Sequence, residues 1–351
     1  RGMDEVGAER QVHLPLIIAG IALLITIVGG TVRIHDAGES CPDWPTCFGS
    51  WGFDSSPEQQ ETWWQENPDE IDSRGAQHRY STFEIFIEWF HRLLVGIIAI
   101  PILLNVFLAN KNRSQVGEKV RRLAIFSAIL LLLQAVAGYL TVKFDNADWS
   151  VALHLVLAVT FISALLWQWL SWKRVIEPRW GVFSLTPAQA ESMKNPVGIM
   201  LIAVLILLIL GAWVSSTAGG DYNQACGVGS EAWPLCQGEF VPDVSQTPIL
   251  VQMAHRVAVL VAGGLLYWGS QRGWREFAEN SCALSKSITT AFFLLATNIL
   301  IGGLYLITAS DGFIEWLSLL HLVLAVATFI AIAVPAMLVE IAISAAPMED
   351  E

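Results

Sequence analysis

Charge is scarce in this 351-residue chain. Asp, Glu, Lys and Arg make up 15% of it, against roughly 25% in soluble proteins. Apolar residues rise to 54%, above the roughly 45–50% of a soluble domain. The few charges cluster between long apolar runs, which excludes a soluble protein with a merely rich core and indicates a membrane protein. Cations are scarcer still: 20 Lys and Arg stand against 32 Asp and Glu, a net charge of −12. A nucleic-acid partner would require a basic face and is excluded. A small-residue cleavage site is also missing after the first apolar run, near Leu14 to Ile34. That run exceeds a signal-peptide core, so it is expected to be a retained span.

What is present is a series of runs near the ~20 residues needed to cross a bilayer. The expected spans are Leu14–Ile34, Phe83–Ala109, Leu123–Val142, Val151–Trp172, Val197–Thr217, Ile249–Gly269, Ile288–Ala309 and Phe313–Ile343. Pro101 and Pro335 are candidate kink sites. One set of connections carries Arg1, Arg10, Lys111, Arg113, Lys119, Arg121, Arg122, Lys173, Arg174, Arg179, Lys194, Arg272, Arg275 and Lys286. The other carries only Arg74, Arg79 and Lys143. The positive-inside rule then places both termini in the cytoplasm and two long loops, 35–82 and 218–248, outside. The first long loop holds ten Asp and Glu residues against two Arg. Its Trp63-Trp64 pair suits either a membrane interface or a plain solvated loop.

The chain repeats itself. His154-Leu155-Val156-Leu157-Ala158-Val159 recurs as His321-Leu322-Val323-Leu324-Ala325-Val326, and His91-Arg92 recurs as His255-Arg256. The loop Cys41-Pro42-Asp43-Trp44-Pro45-Thr46-Cys47 is echoed between Cys226 and Cys236, through Trp233-Pro234-Leu235-Cys236. The expected fold is therefore an all-α integral membrane protein, with eight transmembrane helices as two parallel four-helix bundle repeats, residues 1–180 and 181–351. An even number of spans per half gives both halves the same orientation, unlike inverted-repeat transporters.

Ionisable residues inside spans mark function. His91, His154, His255 and His321 lie in the four even-numbered spans, at similar depth near the outer end. Two imidazoles on neighbouring helices can supply both axial ligands of a haem iron. Zinc is disfavoured because no carboxylate or cysteine repeats beside them. Arg92 and Arg256 run against the positive-inside trend, which points to a specific anionic partner such as a haem propionate. Glu88 shares a helix face with His91, whereas the matching residue in the second half is Gln252. The carboxylate in one half only marks that half for chemistry and leaves the other to hold a fixed cofactor. Gln134, aligned with Asn298, is a weaker polar candidate.

Four of the five cysteines fall in the two external loops. Local pairs Cys41–Cys47 and Cys226–Cys236 are expected, since disulfides are permitted outside a prokaryotic membrane. For the first pair a stapling role and a thiol-exchange role stay equally open; for the second, stapling is favoured.

Together these residues resemble the haem A synthase family over nearly the whole chain. The resemblance rests on the eight spans, Gly29-Gly30-Thr31-Val32-Arg33 at the end of the first, Cys41-Pro42-Asp43-Trp44-Pro45, the Glu88–His91–Arg92 motif and the paired histidines. It implies oxidation of the C8 methyl of haem O to a formyl group by successive hydroxylations, giving haem A. It implies that His91, His154 and Arg92 hold the substrate haem, and that His255, His321 and Arg256 hold a haem b cofactor. Glu88, with Cys41 and Cys47, would serve the chemistry. The implied setting is a prokaryotic cell membrane, with haem O synthase and an electron donor (a quinol or a thiol protein) as partners and homo-oligomerisation left open. Residues 54–82 exceed the family pattern. A di-haem b electron-transfer protein and a transporter are the competing readings.

Overall fold

The computed structural model describes residues 11–215, 222–277, 282–309, 312 and 314–345. Ten α-helices and no strand occur among them: α1 (Leu14–Ile34), α2 (Pro57–Glu66), α3 (Thr82–Lys111), α4 (Arg113–Val116), α5 (Glu118–Lys143), α6 (Asp148–Ile176), α7 (Pro187–Val214), α8 (Thr247–Phe277), α9 (Cys282–Ile307) and α10 (Glu315–Ser344). Eight of these are long and apolar enough to cross a membrane. They match the eight expected spans, and the chain is a multi-pass membrane protein. The ends expected at Thr217 and Phe313, and the start of the second long loop, lie outside the described residues.

The helices reach past the apolar runs because their ends are polar and capped. Ser81 and Glu84 form a reciprocal capping box that starts α3, and Thr186 with Gln189 does the same for α7, satisfying amide groups that a bare helix end leaves unpaired. Hydropathy marks the embedded stretch and not the helix, which is why α7 begins ten residues before Val197. Pro101 and Pro335 are both accommodated inside continuous helices.

Large apolar side chains such as Ile100, Leu103 and Phe107 remain exposed along α3. A helix that is apolar all round and only partly buried presents its remaining face to lipid. Polar side chains inside the bundle pair with one another, as membrane helices require: the Asn105 and Gln168 amides exchange hydrogen bonds of 2.8 and 2.9 Å between α3 and α6.

The contacts are ordered. α1 packs on α3 and α6, and α5 packs on the same two helices. Likewise α7 packs on α8 and α10, and α9 packs on both. Between these groups α6 meets α7, α1 meets α10, and α6 meets α10.

Candidate functional site

Each of the four span histidines lies against a glycine of an adjacent helix. A Cβ at Gly29 (α1) would come 3.0 Å from the His91 imidazole on α3, and one at Gly138 (α5) 3.2 Å from that of His154 on α6. The second half repeats this: a Cβ at Gly211 (α7) would lie 3.2 Å from His255 on α8, and one at Gly302 (α9) 2.8 Å from His321 on α10. Glycine is needed at these places because nothing larger leaves the ring its seat. Sequence reasoning found the histidines and missed the seats. The signal was present: Gly138 and Gly302 share the 164-residue offset of His91 and His255.

All four histidines line one cavity of about 2020 Å³, larger than the ~300–1,000 Å³ of an ordinary small-ligand pocket. The His91, His154 and His255 Nδ1 atoms are buried and make no close hydrogen bond within the protein, although the Ile25 backbone lies within reach of the His91 ring. His321 Nδ1 lies 3.1 Å from the Asn298 carbonyl oxygen. Donation to that carbonyl puts the hydrogen on Nδ1 and leaves Nε2 as a free ligand atom. Part-buried imidazoles seated in glycine cradles on a cavity wall are what axial haem ligation requires, so these residues fit a haem.

The halves differ beside the histidines. Glu88 is buried, 5% exposed, and Arg92 Nε donates to its Oε1 at 2.5 Å. Gln252, also buried, donates to the Tyr222 and Asn223 carbonyl oxygens at 3.1 and 3.2 Å. Gln134, the weaker candidate, donates to the His154 carbonyl oxygen at 3.1 Å.

Both arginines engage the cysteine loops. Arg92 donates to the Asp43 and Cys41 carbonyl oxygens at 2.6 and 2.7 Å, and Arg256 donates to those of Leu235 and Ala232, each at 2.7 Å. Both cysteine pairs are disulfide-bonded, each with a Cα–Cα separation of 4.4 Å. The two loops share a backbone plan, with a cis Trp-Pro bond and a short antiparallel bridge after the second cysteine. Phe48 and Gln237 occupy the left-handed region at equivalent positions in these bridges, with φ 51° and 53°.

The first loop is extended by a segment that folds over the first-half end of the cavity. Trp64 is buried, 2% exposed, in a cluster with Phe48, Tyr80 and the Cys41–Cys47 disulfide, and Trp63, Ile71 and Asp72 line the cavity. Trp64 thus packs the loop's own core and Trp63 lines the cavity, so the pair is not the plainly solvated one that the second expectation described. Gln60 fixes the fold by bonding the Tyr80 amide and the Ser55 and Tyr80 carbonyls. Glu39, also missed from sequence, is buried beneath this segment. It accepts hydrogen bonds from Ser73 Oγ and Asn146 Nδ2, both at 3.1 Å. Burial, with Asp72, Asp145 and Asp36 nearby, pushes its carboxyl up to about 7.

Fold and site define a membrane protein whose interior holds paired histidines in glycine seats. The family model described as COX15-CtaA, cytochrome oxidase assembly protein, matches residues 13–333, and the chain belongs to that family. It is similar to proteins named heme A synthase. One from Beijerinckia indica is 26% identical, covering 87% of this chain and 86% of that one. One from Novosphingobium aromaticivorans is 25% identical, covering 87% and 88%, and one from Shouchella clausii is 28% identical, covering 70% and 69%.

Proposed function

We propose that the chain is a haem A synthase of a prokaryotic cell membrane, an oxidoreductase that converts the C8 methyl of haem O to a formyl group. The carrying observation is the pairing of equivalent histidine seats with an inequivalent neighbour, Glu88–Arg92 on one side and Gln252 on the other. The family membership and the relatives' names support the same reading. In it, residues 1–180 and 181–351 are two four-helix repeats related by an axis along the membrane normal, and the ordered helix contacts support that division. Both termini are cytoplasmic and the two long loops external.

His91 and His154 hold the substrate iron. Gly29 and Gly138 fix how far each imidazole stands from its helix wall, and so where the porphyrin edge lies. Conversion of methyl to formyl removes four electrons from the carbon, with two hydroxylations and loss of water from the gem-diol. It requires dioxygen as the external oxidant, the electron donor serving to reduce the second oxygen atom at each hydroxylation. Glu88, fixed by the Arg92 guanidinium, is the group placed to take up a proton near the reacting methyl. Arg92 also ties Glu88 to the Cys41 and Asp43 carbonyls, so the Cys41–Cys47 loop positions the carboxylate and caps the site from above. In the second half His255 and His321 would hold haem b, which when bound would supply a one-electron redox centre. The Asn298 carbonyl orients His321 for that role. Arg256 ties its helix to the second loop as Arg92 does in the first. The electron donor, a quinol or a thiol protein, and haem O synthase are the partners this chemistry calls for.

The equal glycine seats favour a second reading, a di-haem b electron-transfer protein. Extraction and chromatography of the haems bound to the purified protein separate the two. Haem b together with haem O, a hydroxylated intermediate or haem A is expected. Two haem b per chain, unchanged in a host that makes haem O, would refute the synthase.

A further inference from the structure

Arg33 and Ser215 occupy equivalent positions in the two halves, four residues beyond the glycine seats Gly29 and Gly211. In the structure they touch. Arg33, in the last turn of α1, crosses the seam between the helix groups and donates through Nη2 to the Ser215 carbonyl oxygen at the end of α7. Its Nε is buried with no protein partner. Arg33 is part-buried, and an unpaired buried donor is costly to hold in a membrane protein, so the unbonded Nε indicates an anionic ligand beyond the Asp36 and Asp148 carboxylates within electrostatic reach.

The surroundings indicate which ligand. Arg33 lines the shared cavity together with Tyr305 of α9, Ser318 of α10 and Asn223. The ionisable groups within electrostatic reach are Asp36, Tyr305 and Asp148. Tyr305 is itself held by Asn223 Nδ2, 3.2 Å from its hydroxyl. Apart from the two aspartates these are second-half groups. The first-half end of the same cavity is lined by the carboxylates Glu39, Asp69, Glu70, Asp72 and Asp145, with the cation Lys143 beside them, whereas Glu315 is the one carboxylate from the second half among the described lining residues. Arg92 and Arg256 have turned two donors each to loop carbonyls.

We propose that Arg33, a first-half residue, binds a carboxylate of the porphyrin held by His255 and His321, so that the second-half cofactor is anchored across the seam. This rests on the reading that the second half holds a haem. The anchor is a charge-assisted hydrogen bond in a low-dielectric site, the strong class of such bonds, and it compensates negative charge close to the iron.

The test uses the full chain, purified from a host that makes haem b and no haem O. R33Q is compared with wild type, R33K and H321A by two readouts: the rate of haem transfer to apomyoglobin and the midpoint potential of the second-half haem. Haem loss about tenfold faster in R33Q, with a lower midpoint potential and partial rescue by R33K, is expected. Wild-type protein reconstituted with haem dimethyl ester should lose its haem as fast as R33Q loses ordinary haem, while its midpoint potential shifts upward because the ester removes negative charge near the iron, which tests the anchor even where R33Q folds poorly. Equal loss rates and potentials in wild type and R33Q, or indifference of the wild type to esterification, would overturn the proposal. If H321A retains its full haem complement, the underlying reading of the second half fails instead, independently of Arg33.

Discussion

Glu88 and Gln252 are matched positions of the sequence repeat, yet the first meets a guanidinium and the second meets two carbonyl oxygens. The repeat supplies the same parts twice: an imidazole, a glycine that seats it, an arginine that holds a cis-proline loop. The differences gather at the loop end. Around the first pair lie Glu88, the buried Glu39 and a folded cap. Around the second, Gly303 lets the Trp233 ring close over the cavity, since a Cβ there would come 2.6 Å from the indole. The position equivalent to Gly303 is Tyr139, and Trp44, the counterpart of Trp233, is exposed. The repeated sequence thus keeps its histidine seats and diverges at the loop end of the cavity.

The largest break in this comparison should come from Glu88→Gln, which makes the first half resemble the second. Haem content should persist while haem A formation falls about 100-fold or more, as read by chromatography of extracted haems. Unchanged formation would remove Glu88 from the chemistry. Next comes Gly302→Val, which drives side-chain carbons into the His321 ring. It should cost about 1–3 kcal/mol of overpacking and lower the haem retained by the second half alone. Retention of the full haem complement would show that the seat is not needed.

Gln252→Glu sharpens the comparison from the other side. It replaces a donor to two carbonyls with an acceptor, so thermal unfolding should register a loss of about 1–3 kcal/mol, with no second site of activity gained. The smallest effect belongs to Glu39. Its carboxyl sits near 7 in the folded loop, above its unfolded value. The protonated form is therefore favoured by folding, and the stability it contributes is complete at acid pH and lost as pH rises through about 7. Hydrogen-exchange protection factors in residues 54–82, with the intrinsic pH dependence divided out, should fall over that range in the wild type and stay level in Glu39→Gln. Parallel profiles would locate the pH dependence elsewhere.

The eight spans were legible because lipid demands long apolar runs, and the histidines because a polar ring inside such a run is rare. Their partners were not. Gly29, Gly138, Gly211 and Gly302 are ordinary letters in a membrane helix, and only packing shows which helix face a neighbouring imidazole needs. α2 was hidden because its residues are polar and its burial comes from Trp64 turning inward beneath a loop. Arg92 and Arg256 could be marked as unusual from their position, but their bonds to the cysteine-loop carbonyls depend on backbone that no pattern of side chains announces. Arg33 was seen only as part of a sequence motif, since its meeting with Ser215 needs the two halves docked.

Gly29 and Gly30 are neighbours in α1 that face different sites. Gly29 seats His91, while a Cβ on Gly30 would fall 2.5 Å from Leu322, the residue after His321. One peptide unit therefore abuts the ligand helices of both histidine pairs, with no slack on either side. Any displacement of α1 that accompanies filling of one site is felt at the other. On the proposed reading that both pairs bind haem, thermodynamic reciprocity requires that any effect of filling the second pair on affinity at the first equals the reverse effect, and this glycine pair is the place where the two sites meet.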